Sequence, residues 1–235
     1  MLELTEKRLA SVLWILENRG KSWSVYELRK GTAKMTETED TSYKKGTRIP
    51  TLDTSLTYRP TLSFVKELEK NGFIMKNDKT SEYSLARAPD LAKLVSLAKP
   101  VTGLKAIGYH SPHDFEGTLR LVNASKLDYS FTVFAGSEFY RPYVKTDQVH
   151  AYMREGEEKK WEEYLLSKKC LKAEKREANI FLLPTKNEAL LKQAKKVKGF
   201  SIVPTPILLS DLISFGGLAE EQGRFLMEEW LNNKM

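Results

Sequence analysis

Apolar residues recur at helical spacing at the start of the chain. Their stripe predicts a helix over residues 5–18 that stops near Gly20, and it comprises Leu9, Val12, Leu13 and Leu16. Ser24 with Glu27 three residues later has the form of a capping box, which predicts a second helix ending at Gly31. Residues 33–55 then predict a long surface loop, because apolar positions are almost absent there.

A third amphipathic pattern follows the polar stretch. Pro60 suits the first turn of a helix and favours an extended conformation for Arg59 before it. Asn71-Gly72 ends this helix, and its apolar stripe comprises Leu62, Val65 and Leu68, with Phe64 beside it. Two short segments within residues 73–85 predict a β-hairpin with a tight turn at 77–80.

Three helices followed by a hairpin predict a winged helix-turn-helix domain over residues 1–98. In such domains the third helix enters the major groove and the hairpin lies along the DNA backbone or minor groove. The predicted DNA contacts are Tyr58, Arg59, Thr61, Ser63 and Lys66 on the third helix, Lys76 and Lys79 on the hairpin, and Lys44, Lys45 and Arg48 in the polar loop. Two alternatives stay open: a winged helix that binds protein, and a loop that is only a solvated insertion.

The charge distribution agrees with a polyanionic partner. The chain has 235 residues and a formal net charge of +7. Of its 38 basic and 31 acidic residues, 18 and 13 lie in the first 100 positions, which leaves +5 there and +2 in the remainder. Neutralising phosphates with such charges releases counterions, so the imbalance favours nucleic acid as the ligand of the first domain.

The second half of the chain alternates strand and helix patterns. Residues 99–103 contain Pro and Gly and predict a linker. Beyond it, Asp114 predicts a helix cap, strands are predicted at 129–135, 148–154, 179–184 and 200–203, and helices at 157–166, 188–197, 207–214 and 218–231. The fold class expected for the whole chain is therefore α+β, with a C-terminal α/β domain over residues 104–235 built on a central sheet.

No residue pattern in the chain predicts catalysis. Phosphate-binding and dinucleotide-binding glycine loops are absent from the sequence. His110 and His113 flank a proline, which predicts a surface turn, and Cys170 lies among lysines that either lower its thiol pKa or simply form a solvated basic stretch. We therefore expect no catalytic residues, no metal site and no cofactor.

One enzymatic alternative remains open. Glu138, Asp147 and Glu177 lie near predicted strands, and carboxylates at strand ends bind the divalent metals of nucleic-acid enzymes. On that hypothesis the winged helix targets an enzyme that acts on nucleic acid or nucleotides. A metal-dependent cleavage or nucleotidyl-transfer assay would decide between the two hypotheses.

The composition of the chain limits the class of protein and the cellular compartment that we expect for it. Hydrophobic residues make up 41% of the chain and charged residues 29%, which is typical of globular proteins. No apolar run approaches the roughly 18 residues of a membrane span, and the N-terminus lacks the form of a signal peptide. A single cysteine excludes an internal disulfide, so we expect a cytoplasmic protein without a membrane partner.

A family resemblance is carried by residues 203–222. Pro204 and Pro206 lead into an apolar helical run that contains Asp211-Leu212, and Gly216-Gly217 with Glu220-Glu221 follow. This order resembles the C-terminal signature of the AbiEi-type antitoxin and regulator family of type IV toxin–antitoxin systems, which also has an N-terminal winged helix. The long polar insertion at residues 33–55 departs from many members of that family.

The resemblance implies a transcriptional autoregulator. Such a protein binds double-stranded DNA in its own promoter and opposes a nucleotidyltransferase-like toxin through a separate surface. The pattern of the residues by itself supports only the DNA-binding part, and it leaves the oligomeric state open. We expect most side chains of residues 204–218 to belong to the core.

Overall fold

The computed structural model describes residues 4–36, 58–98, 100–142, 144–187 and 189–232. The chain divides into two compact units, Met1–Ala98 (unit 1) and Lys99–Met235 (unit 2). Both helices and strands occur in each unit, so the fold is mixed α and β. Among the described residues, every helix is too short or too polar to cross a bilayer.

Unit 1 consists of four helices and one hairpin. Its elements are α1 (Glu6–Glu17), α2 (Val25–Thr36), α3 (Tyr58–Lys70), β1 (Ile74–Lys76), β2 (Tyr83–Leu85) and α4 (Ala88–Ala98). The predicted capping box opens α2, since the Ser24 backbone N–H donates to Glu27 Oε2 at 2.8 Å and the Glu27 N–H donates to Ser24 Oγ at 3.2 Å. Local hydrogen bonds therefore define where α2 begins.

Two local predictions for these helices are wrong. Gly31 does not end α2, which continues to Thr36 and takes up the start of the predicted loop. A Cβ on Gly31 would lie 1.8 Å from Trp14 Nε1, so glycine is there to let the α1 indole lie against the helix backbone. Arg59 is helical rather than extended, because α3 begins one residue before it and Pro60 still lies in the first turn, where its missing N–H costs no helical bond.

The apolar stripes of the helices form one core in unit 1. The side chains with no exposed surface include Val12, Ile15, Leu16, Leu28, Phe64, Val65, Leu68 and Leu91. Ile15 and Phe64 replace the predicted Leu13 and Leu62 in the innermost positions, and the latter two are half-buried. The pattern thus found the buried faces of α1 and α3 to within one position.

The hairpin of unit 1 pairs as predicted. β1 and β2 are antiparallel, with Ile74 opposite Leu85 and Lys76 opposite Tyr83. A third extended segment joins them, since Trp23 and Tyr83 exchange both backbone hydrogen bonds, at 2.9 and 2.8 Å. Their rings also stack with centroids 5.5 Å apart, so the segment before α2 is anchored to the hairpin.

Unit 2 is built on a seven-stranded mixed sheet. Its strands are β3 (Ile107–His110), β4 (Tyr129–Thr132), β5 (Val149–Arg154), β6 (Leu171–Lys172), β7 (Ile180–Thr185), β8 (Lys195–Val197) and β9 (Phe200–Ile202), in the order β6-β3-β7-β5-β4-β9-β8. Its helices are α5 (Phe115–Asn123), α6 (Val133–Ser137), α7 (Glu158–Ser167), α8 (Ala189–Lys192), α9 (Thr205–Phe215) and α10 (Leu218–Leu231), with a 3-10 turn at Val101–Gly103. The β5–β7 and β4–β9 pairs are parallel and the others antiparallel.

The two faces of this sheet differ in chemistry. One face is apolar and packs against α5 and α7. Its side chains Phe131, Ala151 and Leu182 share one buried cluster with Trp161 and Leu165 of α7. The opposite face carries Thr132, His150 and Phe181, which lie side by side on neighbouring strands and are buried. Helix α9 covers that second face, and Thr205 to Leu212 are all buried, which confirms the expected core role of this segment.

Two predictions in unit 2 are corrected. The strand predicted to reach residue 135 stops at Thr132, because the chain turns sharply at Val133 (φ 49°), a conformation that β-branched residues rarely adopt, and enters α6. The helix predicted over residues 188–197 is reduced to Ala189–Lys192, and Lys195–Val197 form the edge strand β8 instead. The Asp114 cap is confirmed by its Oδ1 accepting from the Gly117 N–H at 2.8 Å.

Candidate nucleic-acid interface

The exposed side of α3 carries a line of basic and hydroxyl side chains. Arg59, Ser63, Lys66 and Lys70 are spaced at i, i+4, i+7 and i+11, so they fall on one face of the helix. All four are exposed. We call this set the basic stripe; it presents three positive charges along about three turns of helix.

The opposite side of the same helix anchors it to unit 1. Phe64, Val65 and Leu68 have no exposed surface, and Thr61 is only 1% exposed. The prediction that Thr61 contacts DNA is therefore wrong, because its side chain belongs to the buried face. Thr61 was predicted to contact DNA because it lies near the start of the helix. Its position two residues from the exposed Arg59 places it on a different side of the helix.

Acidic side chains flank the basic stripe but are partly committed elsewhere. Glu67 lies beside it and makes an ion pair with Arg8 of α1 at 3.2 Å. The Arg8 guanidinium also lies over the Phe64 ring, 5.0 Å from its centroid. Glu69 is half-buried on the other flank. The charge that α3 presents outward is therefore positive along its centre.

The start of α3 is open to solvent. Tyr58 is 50% exposed, and α3 has no acidic residue in its first turn. The N-terminal end of a helix carries partial positive charge, so this end of α3 attracts anions rather than repelling them. Tyr58 also offers a flat ring and a hydroxyl next to Arg59, a combination suited to contacts with sugar and base edges.

The hairpin adds two further lysines. Lys76 at the end of β1 and Lys79 in the turn are both exposed. The turn is ordered by Asn77, whose Oδ1 accepts from the Lys79 N–H at 3.0 Å and whose backbone carbonyl accepts from the Ser81 N–H at 2.8 Å. The Phe73 N–H donates to the Leu68 carbonyl at 3.0 Å, which ties the hairpin to the end of α3.

The three remaining predicted contacts are not described. Lys44, Lys45 and Arg48 lie at positions outside the described residues. The structure therefore brings Tyr58, Arg59, Ser63, Lys66, Lys76 and Lys79 to exposed positions on unit 1, removes Thr61, and adds Lys70, which sequence reasoning left out. The sequence signal for Lys70 was its spacing of eleven residues from Arg59, which places the two side chains on the same face of the helix.

The carboxylates of the enzymatic alternative do not form a metal site. Glu138 is half-buried at the end of α6, and desolvation raises its pKa, while Asp147 and Glu177 are exposed. The part of the chain that the structure describes holds no cluster of three or more His, Cys, Asp or Glu side chains placed to bind a metal ion. His110 and His113 are exposed, as predicted, but His110 is the last residue of β3 rather than part of the turn.

Cys170 differs from both interpretations of its sequence context. Its side chain is fully buried, and burial raises the pKa of the thiol, although a hydrogen bond with Ser111 opposes the shift. The surrounding lysines point outward and neither expose nor activate the sulfur. Lysine-rich context along the chain does not report on a residue whose side chain faces the core.

A buried polar cluster in unit 2 was not foreseen. Asp211 of α9 is 4% exposed and its Oδ2 accepts from the Thr132 hydroxyl at 2.5 Å and the Tyr152 hydroxyl at 3.1 Å. Burial raises the pKa of Asp211 to about 7, and the two hydroxyl bonds oppose the rise. A single acid inside the apolar run 207–213 was the sequence signal that pointed to it.

His150 lies on the same sheet face. It stacks on Phe181 with ring centroids 4.7 Å apart and meets Phe215 edge-on. Burial lowers the pKa of His150 to about 3, with Lys175 adding to the shift, so the ring is neutral at physiological pH. Its Nδ1 is buried without a hydrogen-bond partner among the described residues.

Comparisons with known proteins give no information about the site, so it is interpreted from its own chemistry. Protein-family models, curated proteins and solved structures gave no match to the chain.

Proposed function

We propose that unit 1 binds double-stranded DNA through α3 and the hairpin, and that the protein is a sequence-specific transcriptional regulator. The observation that carries this proposal is the basic stripe: three cations and a hydroxyl on one exposed helix face, opposite a buried anchor of Phe64, Val65 and Leu68. A helix about 10 Å wide fits a major groove about 12 Å wide, so such a face can reach base edges.

The connectivity of unit 1 supports a winged helix-turn-helix reading. Three helices precede the β1–β2 hairpin, and a single backbone bridge between Trp23 and Tyr83 joins the segment between α1 and α2 to it. In a winged helix that arrangement leaves the third helix free on its outer side while the hairpin extends beside it. The exposed positions of Lys76 and Lys79 are those expected for phosphate contacts from a wing.

Roles within the interface follow from chemistry. Arg59 near the start of α3 is the candidate for reading a guanine edge, because its planar fork matches the O6 and N7 acceptors of that base. Lys66, Lys70, Lys76 and Lys79 are point charges suited to phosphates. If all five cations neutralise phosphates, log K falls with log salt with a slope of about −4 to −5.

The proposal extends to an autoregulatory, antitoxin-like role in the cytoplasm. It rests on the resemblance in residues 203–222, where Asp211-Leu212 lie in α9 and Gly216-Gly217 join it to α10. On this proposal unit 2 opposes a nucleotidyltransferase-like toxin. Co-purification of the full chain with the product of an adjacent nucleotidyltransferase frame tests that part, and failure to associate with it would remove the antitoxin role while leaving DNA binding intact.

DNA binding is tested with a double variant and a matched control. Fluorescence anisotropy of the full chain is measured on duplexes from its own upstream region and on a scrambled duplex. Arg59→Ala with Lys66→Ala is expected to weaken specific binding by roughly 10- to 100-fold and to reduce the preference for the specific duplex. Lys93→Ala with Lys105→Ala removes the same charge from exposed positions outside α3 and the hairpin, and is expected to leave both unchanged.

Lys79 separates phosphate contacts from base readout. Lys79→Ala is expected to lower affinity for both duplexes equally and to reduce the salt slope by about 1. Equal loss in the Arg59/Lys66 and control variants would mean that only bulk charge matters and would contradict the placement of α3. Failure of the wild-type chain to bind any duplex at low salt would instead favour a protein-binding winged helix.

A further inference from the structure

A groove with a volume of about 330 Å³ opens on unit 1 between the C-terminal end of α1 and α2. Its lining includes Trp14, Trp23, Lys21 and Lys30, and no residue of α3. The volume lies at the lower end of the range for small-molecule sites, about 300–1,000 Å³. The groove is therefore large enough for a compact ligand and separate from the basic stripe.

Two indoles give the groove an aromatic wall. Trp14 meets Trp23 edge-on, with ring centroids 6.1 Å apart and planes at 86°. Trp14 lies directly against the α2 backbone at Gly31, where a Cβ would come within 1.8 Å of its Nε1. The Trp23 ring is held in place by stacking on the Tyr83 ring. Trp14 is half-buried, so its ring is the part of this wall that offers an apolar surface to the groove.

The hydrogen-bond donors of this wall lack acceptors. Trp23 is 1% exposed, and its Nε1 is buried with no partner in the part of unit 1 that is described. No hydrogen bond of the Trp14 Nε1 is present among the described residues either. Trp23 Nε1 is too deeply buried to meet a ligand, whereas Trp14 is only half-buried, so a ligand in the groove could supply an acceptor to the Trp14 N–H.

Lys21 and Lys30 outweigh the one acid among the described residues of the lining, so the lining has a net positive charge. Among the described residues that line the groove, Glu27 is the only carboxylate, and its Oε2 accepts from both the backbone N–H and the hydroxyl of Ser24, each at 2.8 Å. These bonds lower the pKa of Glu27 and commit it to the helix cap. Lys21 and Lys30 are exposed and make no ion pair within the described residues.

We propose that this groove binds a small organic anion with a flat apolar body, of the aromatic carboxylate class. The carboxylate would accept from Lys21, Lys30 and the Trp14 indole N–H, and the ring would pack on Trp14. The hydrogen-bond donors and cations of the lining are suited to an anionic acceptor, and the indole wall is suited to an apolar partner. Binding here uses no residue of the proposed DNA contacts, so it stands or falls separately from DNA binding.

The test uses the four tryptophans of the full chain as separate reporters. Benzoate is titrated to its solubility limit while the indole ¹H–¹⁵N resonances are followed by NMR, with neutral benzyl alcohol as the matched probe. The Trp14 and Trp23 resonances are expected to shift with benzoate and to move far less with benzyl alcohol. Trp161 and Trp230 lie in unit 2 and are expected to stay in place. Equal shifts of all four, equal response to both probes, or no shift would overturn the proposal.

Variants of Lys21 and Lys30 test whether benzoate binding requires their positive charge. Lys21→Gln with Lys30→Gln is expected to weaken benzoate binding about tenfold or more, because each charged hydrogen bond contributes a factor of that order. Lys93→Gln with Lys105→Gln, the matched control, is expected to change it less than twofold. If duplex DNA rather than benzoate shifts Trp14 and Trp23, the groove contacts phosphate backbone and the small-anion proposal is wrong.

Discussion

The buried carboxyl of Asp211 should make the stability of unit 2 depend on pH in a defined direction. Its side chain is 4% exposed, and its folded-state pKa is raised from 3.8 to about 7. Between these values the unfolded chain releases the proton while the folded chain retains it. The free energy of unfolding therefore falls by about 1.4 kcal/mol per pH unit across this window, and by about 4 kcal/mol in total. Above pH 7 both states are ionised and no further loss occurs.

His150 produces the opposite slope over much of the same range. Its folded-state pKa is lowered from 6.5 to about 3, so the unfolded chain binds a proton that the folded chain does not. Stability from this group rises with pH up to about 6.5. In the wild-type chain the two contributions nearly cancel between about pH 4 and 6.5, which conceals both of them in a simple stability profile.

The Asp211→Asn variant separates the two groups. Asparagine keeps a carbonyl oxygen that can accept from the Thr132 and Tyr152 hydroxyls, but it cannot ionise. The difference in unfolding free energy, variant minus wild type, is expected to increase with pH by about 1.4 kcal/mol per unit between about pH 4 and 7 and then to level off. His150 contributes equally to both proteins, so it drops out of the difference.

The measurement is urea unfolding at a series of pH values. Trp14 and Trp23 are replaced by Phe in both proteins, so that tryptophan fluorescence reports only Trp161 and Trp230 of unit 2. Asp147→Asn, which changes an exposed carboxylate in the same unit, is the matched control and is expected to give a flat difference. A flat difference for Asp211→Asn would refute the reasoning, because it would mean that Asp211 ionises in the fold as readily as in the unfolded chain.

Three further predictions concern packing and capping. Gly31→Ala is expected to destabilise unit 1 by about 1–3 kcal/mol, because the new methyl must displace Trp14, whereas Gly20→Ala, with nothing within 4 Å of the added Cβ, should cost far less in the same thermal melt. Asp114→Ala is expected to cost about 1 kcal/mol through loss of the α5 cap, measured by urea unfolding; no change would mean that the cap bond to Gly117 contributes nothing net. Cys170 is expected to resist a thiol reagent at neutral pH until the chain unfolds, and fast labelling of the native protein would contradict its burial.

Local interactions explain why part of the candidate interface could be predicted. The positions of Arg59, Ser63 and Lys66 on one helix face follow from helical periodicity, and the turn of the hairpin follows from the side-chain bond of Asn77. These features depend on residues a few positions apart. Thr61 was misassigned because its burial depends on how α3 rotates against the rest of unit 1, and no short stretch of sequence contains that rotation.

The sequence by itself determined the features that arise between near neighbours: the capping box at Ser24, the cap at Asp114, the amphipathic stripe of α3, and the alternation of helices and strands in unit 2. The tertiary structure decided what depends on residues far apart in the chain. Asp211 acquires its raised pKa from the burial that α9 creates on the sheet, and the hydrogen bonds that limit the rise come from Thr132 and Tyr152, 79 and 59 positions away. Proximity along the chain sets hydrogen bonds and periodicity, whereas desolvation is set by packing of the whole unit, and only coordinates contain it.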